Sequence, residues 1–212
     1  MKQLALAATI AALSIGAANA TTTVFEETWD QDALDNGTVL NFNGFDNWTV
    51  TDGFVDLISS GGFGLSCNGG MGGCIDADGS GSSATGMTIE TTMEFLFEAG
   101  REYTFSATYS GSQRSGTDAL NFSIDGLMDE DIIGIMSTDP FTTFTISFTP
   151  TVNTMAAIMI SVPGPLDALG PIVDDILLTV ADVNNPVPVP AALPLFLAGA
   201  AGLGALKRRK AA

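Results

Sequence analysis

Between residues 21 and 185 the chain carries short β-rich runs separated by polar, glycine-rich breaks, and no stretch shows an apolar stripe at helical period. That pattern restricts the body to an all-β architecture, because each run is long enough to cross a sheet and too short to cover a core as a helix. The runs are Thr22–Thr28, Asn47–Thr51, Phe54–Ile58, Thr88–Phe97, Glu102–Tyr109, Ala119–Ile124, Phe141–Phe148, Thr154–Val162 and Ile172–Val180. Phe141–Phe148 alternates aromatic or aliphatic and hydroxyl residues at period two, as a strand with one buried face does. Asp52-Gly53 reads as a hairpin turn between the runs on either side of it. About eight to ten strands with short turns predict a single two-sheet sandwich or jelly roll.

Two absences narrow the chemistry. The chain has no histidine, which rules out Ser-His-Asp and Cys-His catalysis and imidazole zinc sites. All 24 acids lie between residues 21 and 185, where only Arg101 and Arg114 oppose them, so that stretch carries about −22. Phosphate backbones need Lys and Arg, so nucleic acid is not a partner. The same charge suits divalent cations, and bound calcium would relieve the self-repulsion. A general acidic bias of an exported protein explains the charge equally well. An enzyme reading survives only as paired carboxylates of the glycosidase kind, and no spacing marks such a pair.

Both ends read as addresses. Lys2, the apolar stretch Leu4–Ala18 and the small-x-small triplet Ala18-Asn19-Ala20 predict a signal peptide over residues 1–20, handled by the Sec translocon and signal peptidase, with a mature start at Thr21. Cys67 and Cys74, in a chain so exported, predict one disulfide, since the four glycines between them let the loop fold back. Val189–Leu206 is uncharged over 18 residues, enough for a membrane helix, and Lys207, Arg208, Arg209 and Lys210 would stay on the cytoplasmic side. The expected organisation is a domain over 21–182, a Pro-rich linker and sorting motif over 183–190, a transmembrane helix over 191–206 and a basic tail over 207–212.

The order of proline motif, apolar helix and basic end resembles the PEP-CTERM sorting signals of Gram-negative bacteria, in the variant whose core reads Val-Pro-Leu-Pro-Ala. The matching residues are Val187, Pro188, Val189, Pro190 and Ala191, with Val189 in the place of leucine. The resemblance implies an exosortase-type membrane transpeptidase as partner, cleavage near Pro188–Pro190, and delivery through a membrane intermediate to the cell surface or extracellular matrix. In the body, Phe25-Glu26-Glu27, Asn47-Trp-Thr-Val-Thr51, Gly53-Phe-Val-Asp-Leu57, Cys74-Ile-Asp-Ala-Asp-Gly-Ser80, Ala99-Gly-Arg-Glu-Tyr-Thr-Phe105 and Ile172-Val-Asp-Asp-Ile-Leu-Leu178 resemble, in order, segments of galactose-binding-like jelly rolls, many of them carbohydrate-binding modules. That resemblance implies a structural calcium between the first and last strands, which would fall on Glu26 and Asp175 with Asp174 as neighbour.

Sugar binding asks for exposed aromatics beside acids or amides. Trp48 and Tyr103 sit in strand patterns and read as core. Trp29 lies outside the clearest strands and is the aromatic expected at a ligand. Arg114 is either the ion-pair partner of a sheet carboxylate or a ligand contact. Asp76-Ala-Asp-Gly-Ser80 is too short for an EF-hand loop and reads as a turn. Together these features predict a non-catalytic, exosortase-sorted surface protein, structural or adhesive in an extracellular polysaccharide biofilm matrix. The alternative is a carbohydrate-binding module with a defined sugar pocket, and a third reading is a secreted glycoside hydrolase.

Overall fold

A computed structural model describes residues 19–81, 86–163 and 167–186. The expected sorting motif Val187–Ala191, membrane helix and basic tail, and all but the last two residues of the expected signal peptide, lie outside them. No helix among the described residues is long and apolar enough to cross a membrane. Thr21–Ala181 forms one compact unit; residues 1–20 and 182–212 group separately, and of these only the ends of two strands are described.

The elements run β1 (Asn19–Glu27), α1 (Asp30–Asn36), β2 (Trp48–Asp52), β3 (Asp56–Ser59), β4 (Gly73–Asp76), β5 (Gly86–Thr91), β6 (Phe95–Phe97), β7 (Tyr103–Ser110), β8 (Thr117–Ile124), β9 (Met128–Met136), β10 (Thr142–Phe148), β11 (Thr154–Ala156), β12 (Ile158–Pro163) and β13 (Ile172–Pro186). One sheet has the order β10-β7-β13-β4-β3, with β1 also on β13; the other has the order β2-β5-β12-β8-β9, and both paths are antiparallel. β6 and β11 form a separate ribbon. The protein is an all-β sandwich. Its two sheets meet through aromatic side chains: Phe122 of β8 packs on Phe105 of β7 at 5.6 Å and on Phe144 of β10 at 5.9 Å between ring centroids. Burying each such ring contributes about 1.5–3 kcal/mol.

Three local expectations change. Asp52-Gly53 is not a hairpin: β2 pairs with β5 in one sheet and β3 with β4 in the other, so the turn carries the chain across the core. Gly53 is required there, with φ +66° and a Cβ position that would fall on the carbonyl oxygen of Gly86. Asp30–Asn36 forms a short helix, favoured by Asp30 and Asp32 in its first turn and stopped at Gly37 with φ +73°. Seven residues show too little periodicity to mark it in sequence. The last strand runs on to Pro186, into the stretch expected to be linker, and ends at the residue that cannot donate to a ladder.

The outer face of the six-stranded sheet carries a second, smaller core. Ile58, Leu65, Cys67, Cys74 and Ile172 are buried together there, with Phe141 packed against them. Cys67 and Cys74 are joined in a disulfide with Cα atoms 5.5 Å apart. The closed loop is thereby pinned onto the sheet, where it forms one wall of a cleft.

Candidate functional site

Three loops meet beside the disulfide. The β7–β8 loop and the β9–β10 loop are zipped by main-chain hydrogen bonds: Gly111 N–H donates to Asp139 O at 3.1 Å, Gln113 N–H to Ser137 O at 2.9 Å, and Ser137 N–H to Gly116 O at 3.2 Å. The approach is close enough that a Cβ on Gly111 would fall on the carbonyl oxygen of Met136. Gln113, held at φ +57°, then reaches the disulfide loop. Its side-chain amide donates to Ser66 O at 2.7 Å and accepts from Ser66 N–H at 2.9 Å, as a backbone partner would.

Together these loops bound a cleft of about 540 Å³, lined among others by Ser66, Gln113, Arg114, Ser137, Asp139 and Phe141. Phe141 is half-buried, its base fixed in the small outer core, so one apolar surface is presented among amide, guanidinium, carboxylate and hydroxyl groups. Such a mixture suits a ligand with apolar C–H faces and many hydroxyls.

Arg114 forms the ion pair with a sheet carboxylate that its sequence position suggested, its Nη2 donating to Asp76 Oδ2, and it also lines the cleft. The Asp76 side chain is 1% exposed. Burial pushes its carboxyl up to about 7, against the pull of Arg114 and of a hydrogen bond from Asp78 N–H. The guanidinium has five N–H donors, so the pair with Asp76 leaves others for a ligand.

Trp29, the aromatic expected at a ligand, is buried instead. It is 0% exposed and packs 6.0 Å from Trp48, so it offers no face to a ligand. Its left-handed backbone, φ 52°, swings the indole inward where β1 ends, with Trp29 N–H donating to Glu27 Oε1 at 2.8 Å. Trp48 and Tyr103 are also buried, in the main core.

The residues expected at a structural calcium are only partly brought together. Glu26 and Asp175 line one cavity of about 240 Å³ between β1, β7 and β13. A bulge at Asp175, φ 41°, separates it from its neighbour. Asp174 is buried towards the disulfide loop instead, where its oxygens accept from the N–H groups of Asn68 at 2.9 Å and Asp175 at 2.8 Å. Burial pushes its carboxyl up to about 7. Asp174 does not line the Glu26–Asp175 cavity, and two carboxylates are a small part of the six to eight oxygens calcium takes.

Gln113 was not singled out from sequence, nor was Phe141 as more than a strand residue. A lone Gln in a Ser/Gly-rich loop carries no local signal of a long-range bridge.

No family model matches the chain, and no curated protein matches it. Among solved structures it is similar to the CBM22-1 and GH10 modules of xylanase 10B of Clostridium thermocellum, crystallised with xylohexaose, at 16% identity and TM-score 0.46 over 74% of this chain and 28% of that longer one. It is also similar to the CBM22-1 xylan-binding domain of Paenibacillus barcinonensis Xyn10C, at 10% identity and TM-score 0.47 over 79% of this chain and 99% of that one. A third likeness is to the K1 cleaved adhesin domain of Lys-gingipain from Porphyromonas gingivalis W83, at 12% identity and TM-score 0.47 over 77% and 99%. Identities this low carry no ligand from those proteins to this one.

Proposed function

We propose that this is a non-catalytic carbohydrate-binding protein, exported to the cell surface or extracellular matrix, which holds a neutral glycan chain in the cleft between the disulfide loop and the β7–β8 and β9–β10 loops. The observation that carries the reading is the composition of that cleft: Phe141 as an apolar platform among Gln113, Arg114, Asp139 and Ser137. Neutral glycan is favoured over acidic because a body of about −22 repels polyanions. Among the described residues lining the cleft Asp139 is the one carboxylate, and glycoside hydrolysis by the usual two-carboxylate route needs a facing pair. Export rests on the signal-like N-terminus and on the resemblance of residues 187–191 to exosortase sorting motifs; the disulfide agrees with an oxidising compartment.

The test is affinity electrophoresis of the full chain in gels containing neutral polysaccharides and, separately, acidic ones. Retardation by a neutral polysaccharide that weakens about tenfold in Phe141→Ala, a loss of about 1.4 kcal/mol, supports the cleft. Unaltered mobility throughout the panel, or retardation untouched by Phe141→Ala, counts against it.

A further inference from the structure

Asp174 stands against the disulfide. The register that sets Ile172 against Asp76 and Val173 against Ile75 carries Asp174 of β13 alongside Cys74 of β4. One carboxylate oxygen of Asp174 and the sulfurs of Cys67 and Cys74 all lie within 4.8 Å of one another. Among the described residues this is the one group of three Cys, Asp or Glu ligand atoms that close together. All three side chains are buried. The hydrogen bonds from Asn68 N–H and Asp175 N–H fix the carboxylate in place and leave each oxygen a second lone pair. A carboxylate held in this way by main-chain donors is a preorganised metal ligand.

Two sulfurs and one oxygen suit zinc better than a hard cation such as calcium. Tetrahedral zinc, with sulfur at about 2.3 Å and oxygen at about 2.0–2.2 Å, sets its ligand atoms about 3.6–3.8 Å apart. The triad already has that scale, and only the two sulfurs must part. We propose that, once the disulfide is reduced, Cys67, Cys74 and Asp174 bind one zinc ion with water in the fourth position, and that the ion holds the loop to the sheet in place of the S–S bond. A dithiol reductant opens the bond by two successive thiolate attacks. It leaves as its own disulfide, having passed two electrons and two protons to Cys67 and Cys74. Zinc then displaces the two thiol protons to solvent. Residues 68–72 are exposed, and Cys67, Gly69 and Gly70 line the cleft, so reductant and ion approach from that side. The site is separate from the Glu26–Asp175 cavity and does not depend on glycan binding.

The experiment is titration of cobalt, then zinc, into the full chain reduced without air by a water-soluble phosphine, which leaves as its oxide. Cobalt reports thiolate ligation by a sulfur-to-metal charge-transfer band and tetrahedral geometry by its visible d–d bands. Reduced wild type should develop both, saturating at one ion per chain, and zinc should bleach them. The oxidised chain should develop neither. Asp174→Asn, its fold checked by circular dichroism while its disulfide is intact, should weaken zinc at least about tenfold once reduced. Asp175→Asn should leave zinc binding in place. Reduced wild type should melt higher in zinc than in chelator, and Cys67→Ser combined with Cys74→Ser should show no such gain. The proposal is overturned if reduced wild type develops no charge-transfer band, whether or not it stays folded. It is overturned as well if Asp174→Asn binds zinc as tightly as wild type, because the thiolates alone then hold the ion.

Discussion

Replacing Arg114 by Met removes the cationic partner of a carboxylate whose side chain is 1% exposed. Breaking a buried ion pair from one side costs about 3–5 kcal/mol when the remaining charge stays. Asp76 has an escape, because its carboxyl already sits at about 7 and can take up a proton. The cost must therefore depend on pH. At pH 5 Asp76 is mostly protonated with or without Arg114, and the variant loses only a hydrogen bond to an uncharged carboxyl and some packing, about 1 kcal/mol. At pH 8 wild type holds an ionised pair while the variant either buries a lone anion or pays for protonation, and the loss rises to about 3 kcal/mol. In a domain of this size that corresponds to about 2–4 °C in melting temperature at pH 5 and about 6–12 °C at pH 8. Asp76→Asn combined with Arg114→Met should recover most of the pH 8 loss, since no anion remains. Thermal unfolding of the three proteins at both pH values, in chelator, is the assay. An equal loss at pH 5 and pH 8, or no recovery in the double variant, would refute the pairing as the source of the effect.

Other outcomes follow from the same structure. In chelator, stability should fall as pH rises from about 4 to about 7, because Asp76, Asp118 and Asp174 all bind protons more tightly folded than unfolded. Asp76 alone contributes up to about 4 kcal/mol to that fall; urea midpoints at pH 4.5 and 7.5 check it, and greater stability at 7.5 would contradict it. Reducing Cys67–Cys74 should cost about 2.5 kcal/mol on the loop-entropy account and weaken glycan binding together with stability, because the loop walls the cleft. Gly111→Ala should destabilise by about 1–3 kcal/mol, since the new methyl meets the main chain of Met136, which cannot turn aside as a side chain could. Full stability in that variant would mean the two loops are not pressed together as described.

Much of the sandwich was legible because strand alternation is local. Phe105, Phe122 and Phe144 fall on the inner faces that period two assigns them. β9 was missed because Asp129-Glu130-Asp131 interrupt its apolar pattern. Those acids lie on the last strand of their sheet, where charge discourages pairing with a further chain. Strand partners were not legible: Asp52-Gly53 carries a turn signature, but which sheet receives the next strand is decided by distant residues. Arg114 stood out because bases are scarce, whereas Trp29 misled because its inward direction depends on a left-handed backbone angle.

Hydrogen exchange of the full chain, with and without a saturating fragment of the retarding polysaccharide, decides whether the loop cleft binds glycan. New protection should be confined to residues 66–70, 110–116 and 137–141. Protection elsewhere on the sandwich with these loops unchanged would contradict it.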